Sequence, residues 1–270
     1  MKGLLSFVFV LLVMPIGHAF MVLTEKYANA YLVHTAVALT VLGLAMIAAT
    51  RWVEDEAWQS FWGIVAGTFV WTGGVEYGFL FAARRFGVPK VHGTSGEYML
   101  LEYTAGLVLG LVAYLLYQES VRCTLVLWLR RKLPLMRGPV AAGPVHNYGP
   151  RAAFEAFSIL WFFYVVMLIA YDLGVHSWAT YLLFITSLGG GGYALYRLYH
   201  QRGWGMSLRY AFPTVNLVWM GVEIVAKWKV FTEPWIAIDV PFMIAVVLAF
   251  LFMAYLLVDH LRHRDERLME

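Results

Sequence analysis

Seven acidic residues lie within or at the ends of the apolar segments of this chain. They are Glu76, Glu97, Glu102, Glu155, Asp172, Glu223 and Asp239. Charged residues make up only 14% of the sequence and hydrophobic residues 61%. Because a carboxylate inside a bilayer costs about 2.5 kcal/mol or more, each acid needs a partner or a function. The topology derived below places all of them except Glu155 toward one face of the membrane.

Three of these acids are our candidate catalytic residues. Glu76 and Glu102 are expected roughly 9 and 6 Å below the outer ends of their helices, at 1.5 Å per residue, and Glu223 is similarly shallow. Partly buried carboxylates are typical general acids and bases. We expect Glu76 and Glu102 to act as acid and base, in either order, and Glu223 to orient substrate or stabilise charge. The alternative is that these acids only hydrogen-bond a neighbouring helix near the interface.

A polar stripe accompanies Glu223 along its helix. Lys227 follows Glu223 by four residues, the favourable order for a helical ion pair. Asn216 precedes Glu223 by two turns and lies on the same face. We therefore expect Lys227 to hold Glu223 and Asn216 to hydrogen-bond a substrate. Hydrogen bonding between helices is an equally good explanation of the stripe.

Aromatic residues accompany the acids. Tyr98 precedes Glu102 by one helical turn and Tyr103 follows it directly, while Trp71 and Trp219 each precede an acid in their own segments. Their π faces could line a pocket for a flat or polyunsaturated lipid and stabilise developing positive charge. The alternative is that these rings belong to the aromatic belts of a membrane protein.

A weak metal signal comes from Asp172 and His176, which are four residues apart. On a continuous helix this spacing would let both side chains bind one divalent metal, but Gly174 between them makes continuity doubtful. Further ligands would have to come from His18, His34 or Glu102. The cofactor is otherwise unknown, because the chain has no Walker phosphate loop, no Gly-x-Ser-x-Gly elbow and no His-Glu-x-x-His motif.

The elements that must position these residues are transmembrane helices. The mean hydropathy of +0.68 excludes an ordinary soluble domain, and the apolar runs approach the 20 residues or so that cross a bilayer. We predict an all-α integral membrane protein, a bundle of about eight transmembrane helices. The spans are 3–23, 30–50, 60–82, 98–118, 153–171, 177–196, 209–227 and 236–259. If residues 1–19 are a cleaved signal peptide, seven remain.

The connections predict topology and organisation. Most of the 20 Lys and Arg residues fall on the side of the two termini, which predicts cytoplasmic termini in a bacterial-type cytoplasmic membrane. The net charge of +3 reflects this topology and calls for no nucleic acid. Residues 119–152 form the only long connection, predicted as an interfacial helix and a Pro/Gly-rich loop between 1–118 and 153–270. These two parts could be a 4+4 repeat, because Val70–Glu76 resembles Val218–Glu223 with one glycine as a gap.

These observations favour a membrane enzyme acting on an isoprenoid or other lipid at an outer-leaflet site, by acid–base or metal-assisted chemistry. A proton- or cation-coupled transporter is the first alternative, although the acids crowd one side rather than the midplane. A non-catalytic subunit of a larger membrane complex is the second. The expected partners are membrane lipids and a lipophilic small molecule, with further subunits or a homo-oligomer left open.

Overall fold

The computed structural model describes residues 2–89, 96–118, 121, 124–133 and 147–269. Within these residues every regular element is helical, which confirms the all-α prediction. The α-helices are α1 (Lys2–Tyr27), α2 (Leu32–Ala49), α3 (Glu56–Val70), α4 (Tyr77–Phe86), α5 (Gly96–Glu102), α6 (Ala105–Tyr117), α7 (Thr124–Lys132), α8 (Tyr148–Asp172), α9 (Trp178–Tyr199), α10 (Trp204–Lys227), α11 (Pro234–Ala237) and α12 (Val240–Met269). A π-helical segment, Trp71–Glu76, joins α3 to α4 without a break.

Five helical stretches of the described chain are long and apolar enough to cross a membrane. They are Lys2–Tyr27, Asn29–Trp52, Glu56–Phe86, Tyr148–Asp172 and Val240–Arg262. The pair α5 and α6, bent by 45°, is a sixth if it counts as one span. This set is compatible with an integral membrane protein.

The predicted number of eight spans is not reached by these criteria. The expected spans 177–196 and 209–227 correspond to α9 and α10, which are long enough but are not among the candidates. Four consecutive glycines reduce the hydropathy of α9, and α10 carries a string of polar residues. Much of α10 is buried inside the protein, where polar side chains are tolerated in a bundle. The count of eight stays a prediction.

The chain forms two compact units. The first contains Met1–Leu32 and Tyr181–Glu270, and the second contains Val33–Thr180. The sequence-based boundaries around 119–152 follow chain order rather than contacts, and they stay a prediction. Within that connection, α7 ends in Arg130, Arg131 and Lys132, while the expected Pro/Gly-rich loop at 134–146 lies outside the described residues.

The second unit is organised around the contact between α3 and α8. Gly63 lies against the backbone of Gly149, and Gly67, one turn later, lies against the backbone of Ala153. A Cβ atom on either α3 glycine would collide with these atoms. Small residues four apart on both helices let the backbones approach closely, which is how helices associate in membranes without a hydrophobic driving force.

Gln59 ties the ends of the same two helices together. Its side-chain amide nitrogen donates to the carbonyl of Val53 at 2.5 Å, and its Oε1 accepts from the backbone N–H of Gly149 at 3.1 Å. Asp55 caps α3 by accepting from the N–H groups of Ala57 and Trp58. These bonds satisfy orphan donors at the beginnings of both helices, which would otherwise be buried without partners.

In the first unit, α1 packs against α10 and α12. Phe9 of α1 stacks on Phe250 of α12 with ring centroids 5.3 Å apart. The Ser187 hydroxyl of α9 donates to the Leu217 carbonyl of α10 at 2.7 Å. Hydrogen bonds of this kind, together with van der Waals packing, hold membrane helices together.

The α3–α8 contact gives a first prediction. Gly67→Ala should lower the free energy of unfolding by about 1–3 kcal/mol, because the added methyl group overpacks the contact with Ala153. The control is Gly106→Ala in α6, where an added Cβ meets nothing within 4 Å and helix propensity alone favours alanine. The measurement is the thermal unfolding midpoint of the purified chain in detergent. Equal midpoints for the two variants would contradict the packing.

Candidate carboxylate and aromatic site

A break in the second unit places Glu102 at the end of a short helix. The chain leaves α5 at Glu102 and resumes as α6 at Ala105, with a bend of 45°. The Thr104 hydroxyl at the break donates to the Leu101 carbonyl at 2.5 Å and accepts from the Trp161 indole N–H of α8 at 2.8 Å. Thr104 therefore fixes the bend and ties it to α8.

A second irregularity ends at Glu76. The segment Trp71–Glu76 is π-helical and includes Gly73 and Gly74. At Gly73 a Cβ atom would lie 2.7 Å from the Thr40 hydroxyl oxygen of α2, so only glycine permits this approach of α2. Single π turns inside α-helices occur frequently at functional sites. The Glu76 side chain is partly buried where the segment ends.

An aromatic cluster links the two irregular segments to α8. The Trp71 ring, only 4% exposed, lies 5.9 Å from the Trp161 ring and 5.8 Å from the Tyr164 ring, measured between centroids. Tyr98 of α5 contacts the same Tyr164 ring at 6.0 Å. Offset and edge-on pairs at such distances contribute about 0.5–1.5 kcal/mol each beyond burial. The structure thus brings together Trp71 and Tyr98, two of the predicted substrate-binding residues.

The second carboxylate near the break is Asp172. Glu102 is partly buried and lies close enough to Asp172 for their charges to interact. Asp172 is exposed at the C-terminal end of α8. Two negative charges within electrostatic range of each other repel, so a cation bound near them would be stabilised. Tyr103, also predicted to bind substrate, is 75% exposed at the break.

The remaining predicted residues belong to the first unit. Asn216 is buried, and its amide nitrogen donates to the Phe212 carbonyl of its own helix at 2.9 Å. The Trp219 indole N–H donates to Glu223 Oε1 at 2.8 Å. Lys227 is exposed in the last turn of α10. The structure therefore pairs Glu223 with Trp219, a hydrogen bond that the sequence analysis did not anticipate.

The expected metal ligands do not form a set of three. Among the described residues, no three His, Cys, Asp or Glu side chains are grouped so that they could hold a metal ion. Helix α8 ends at Asp172, and Gly174 with φ of 119° turns the chain before His176. Asp172 and His176 therefore do not share a continuous helix. His34 is exposed on α2, and the His18 side chain lies outside the described residues. A divalent metal stays a prediction.

The role of Thr104 in holding the break was not predicted from the sequence. Its only sequence signal is its position directly after Glu102 and Tyr103 and before Ala105-Gly106, in an otherwise apolar run. A threonine at this position is equally typical of a solvated residue at the membrane interface. Its role depends on Trp161, which is 57 residues away in the chain.

Comparison with protein-family models, curated proteins and solved structures found no match.

The Thr104–Trp161 bond gives a second prediction. Thr104→Val should lower the free energy of unfolding by about 1 kcal/mol or more, because it leaves the Trp161 N–H without its acceptor. The control is Thr68→Val, whose hydroxyl donates only to the Ile64 carbonyl of its own helix. A double-mutant cycle with Trp161→Phe, followed by thermal unfolding, measures the coupling. Strict additivity of the two changes would contradict the bond.

Proposed function

We propose that this chain is an integral membrane enzyme that acts on a lipophilic substrate, an isoprenoid or other lipid, by acid–base chemistry at Glu102 and Glu76. The observation that carries the proposal is the proximity of Glu102 and Asp172 at a broken span, beside the Trp71–Trp161–Tyr164 cluster. A partly buried carboxylate beside aromatic side chains is typical of catalytic sites.

The different exposure of the two carboxylates supports a division of roles. Asp172 is exposed to solvent, whereas Glu102 is partly buried. Glu102 is therefore the carboxylate that would exchange a proton with a bound substrate. Glu76, at the end of the π-helical segment, would serve as the complementary base. The aromatic rings would stabilise positive charge that develops on the substrate.

An apolar cavity in the first unit supports a lipophilic ligand. In the first unit, α1 and α12 enclose a volume of about 470 Å³ lined almost wholly by apolar side chains, including Pro15, Phe20, Phe242 and Met243. Its volume lies within the range of about 300–1,000 Å³ that is usual for ligand pockets. It fits a hydrocarbon chain and offers nothing to a polar solute.

A proton- or cation-coupled transporter is the second candidate function. The bent α5–α6 pair and the π-helical segment favour it, since discontinuous helices form ion and substrate sites in many transporters. The carboxylate pair at the break could carry the coupling proton or cation. The transporter would use the same residues as the enzyme, but it would move a proton or cation across the membrane instead of converting a lipid.

Substitution of the carboxylates tests both candidates. Glu102→Gln and Glu76→Gln should each reduce turnover about 10²–10⁴-fold by removing the proton donor or acceptor, without loss of expression. The exposed Glu54→Gln is the control. The measurement is mass spectrometry of lipid extracts from membranes that contain each variant. Unchanged lipid conversion in both variants would overturn the assignment.

Proteoliposomes with an internal pH-sensitive dye distinguish transport from catalysis. Proton flux that requires Glu102, without any converted lipid, would favour the transporter. Lipid conversion without proton flux would favour the enzyme.

We also propose that the chain contains an internal repeat. The motif valine contacts a glycine of the preceding long helix in both places: a Cβ on Gly43 would lie 2.8 Å from Val70, and one on Gly191 would lie 3.1 Å from Val218. The motif glycine in turn lies against a hydroxyl-bearing residue of that helix, Gly73 against Thr40 and Gly221 against Ser187. The same pairwise packing at two places supports duplication of a helix pair.

The π-helical segment accounts for the extra glycine in the first copy. Trp219 and Glu223 are four residues apart on a regular α-helix and hydrogen-bond to each other. Trp71 and Glu76 are five apart, and a π turn closes over five residues. One inserted residue therefore keeps the tryptophan and the glutamate one turn apart in both copies.

Deletion of Gly74 tests this interpretation. The deletion should convert the segment to regular α-helix, and the helical residues on both sides of it should keep their present contacts. The unfolding midpoint should therefore change by less than about 4 °C. The control is deletion of Gly110 within regular α6, which should rotate the rest of that helix by about 100° and lower the midpoint much further. Equal losses in both deletions, measured by thermal unfolding, would contradict the inserted residue.

A further inference from the structure

A cavity in the second unit lies between the end of α6 and the beginning of α8. Its volume is about 280 Å³, and its wall includes Tyr114, Gln118, Asn147, Arg151, Phe154 and Glu155. None of these residues belongs to the carboxylate and aromatic site. The cavity therefore requires its own explanation.

Two opposite charges lie one above the other in this wall. Arg151 and Glu155 are four residues apart on α8, about 6 Å along the helix axis at 1.5 Å per residue. Glu155 is only 4% exposed, while Arg151 is partly buried. Because α8 begins at Tyr148 and has the length and hydropathy of a membrane span, Arg151 lies nearer the aqueous boundary and Glu155 one turn deeper.

Two aromatic rings lie at the deeper level. Tyr114 of α6 and Phe154 of α8 meet edge to face, with ring centroids 5.7 Å apart, and both line the cavity. A carboxylate beside aromatic rings is the environment that binds an ammonium group. Arg151 and the side-chain amides of Gln118 and Asn147 offer donors near the mouth, which suit the oxygens of an acid group.

A hydrogen bond from α7 fixes the end of α6 that lines the cavity. Arg130 of α7 is only 3% exposed, and its Nη1 donates to the Gln118 carbonyl at 3.0 Å. Gln118 is the residue at which α6 ends, so the guanidinium satisfies a carbonyl at the negative end of a helix. A cavity held by such a bond is formed before a ligand arrives, which reduces the cost of binding.

We propose that this cavity binds a small soluble zwitterion, an alkylammonium that carries a phosphate or carboxylate group. The ammonium lies at Glu155 beside the two rings, and the acid group lies at Arg151. The order of the charges decides against a phospholipid head group with the same chemistry. A lipid presents its phosphate deeper in the membrane than its ammonium, whereas here the carboxylate is deep and the guanidinium is shallow.

Isothermal titration of the purified full chain with 2-aminoethyl phosphate tests the proposal. The zwitterion should bind at least about tenfold more tightly than ethanolamine or inorganic phosphate alone, because it engages both charges. Glu155→Gln should weaken the binding of the zwitterion and of ethanolamine at least about tenfold and leave the binding of phosphate unchanged. Arg151→Gln should instead weaken the binding of the zwitterion and of phosphate. Arg131→Gln, exposed on α7, should bind as the wild type does.

The wild-type titrations decide the matter even if a charge variant fails to fold. No saturable binding of 2-aminoethyl phosphate, or binding no tighter than that of either half, would overturn the proposal. Binding seen only with phosphatidylethanolamine in nanodiscs, without competition by the free zwitterion, would also overturn it in favour of a lipid head group. Phe154→Leu keeps an apolar wall but removes an aromatic ring. It should weaken the binding of ethanolamine and leave the binding of phosphate unchanged.

Discussion

The close approach of α3 and α8 is the constraint on which the second unit depends. Gly63 and Gly67 allow the α3 backbone to touch the α8 backbone at Gly149 and Ala153. Apolar burial contributes little to helix association in a membrane, where lipid chains solvate side chains equally well, so such contacts must supply much of the stability. Gln59 adds a directional bond between the same helices. Because these contacts fix α8, residues along this one helix can contribute to two separate sites.

The two ends of α8 carry different chemistry. In its middle, Trp161 and Tyr164 contact the irregular segments, and at its C-terminal end Asp172 lies within electrostatic range of Glu102. At its beginning, Arg151 and Glu155 line a separate cavity. Irregular backbone inside a membrane is tolerated where protein or water covers it. The bend at Thr104 and the π-helical segment meet this condition because both pack against neighbouring helices.

The polar residues of α10 show how a largely buried helix can keep such side chains. Asn216 bonds to its own backbone, and Glu223 accepts from Trp219 one turn earlier. Both of these bonds are made within α10. The spacing of Asn216, Glu223 and Lys227 predicted a polar stripe on this helix, which stays a prediction, but it could not show that Trp219 would donate to Glu223. Side-chain rotamers decide that choice, and they depend on what packs around the helix.

The sequence by itself determined the all-helical architecture, the apolar spans and the stretches in which the acids lie, because hydropathy and helix length are local properties of the chain. It also located two similar motifs, since matching residues can be found without coordinates. Only the tertiary structure decided that Glu102 comes within electrostatic range of Asp172, that Thr104 is held by Trp161, and that Trp71–Glu76 is π-helical. These features depend on helix rotation and on contacts between residues far apart in the chain, which composition and spacing do not fix.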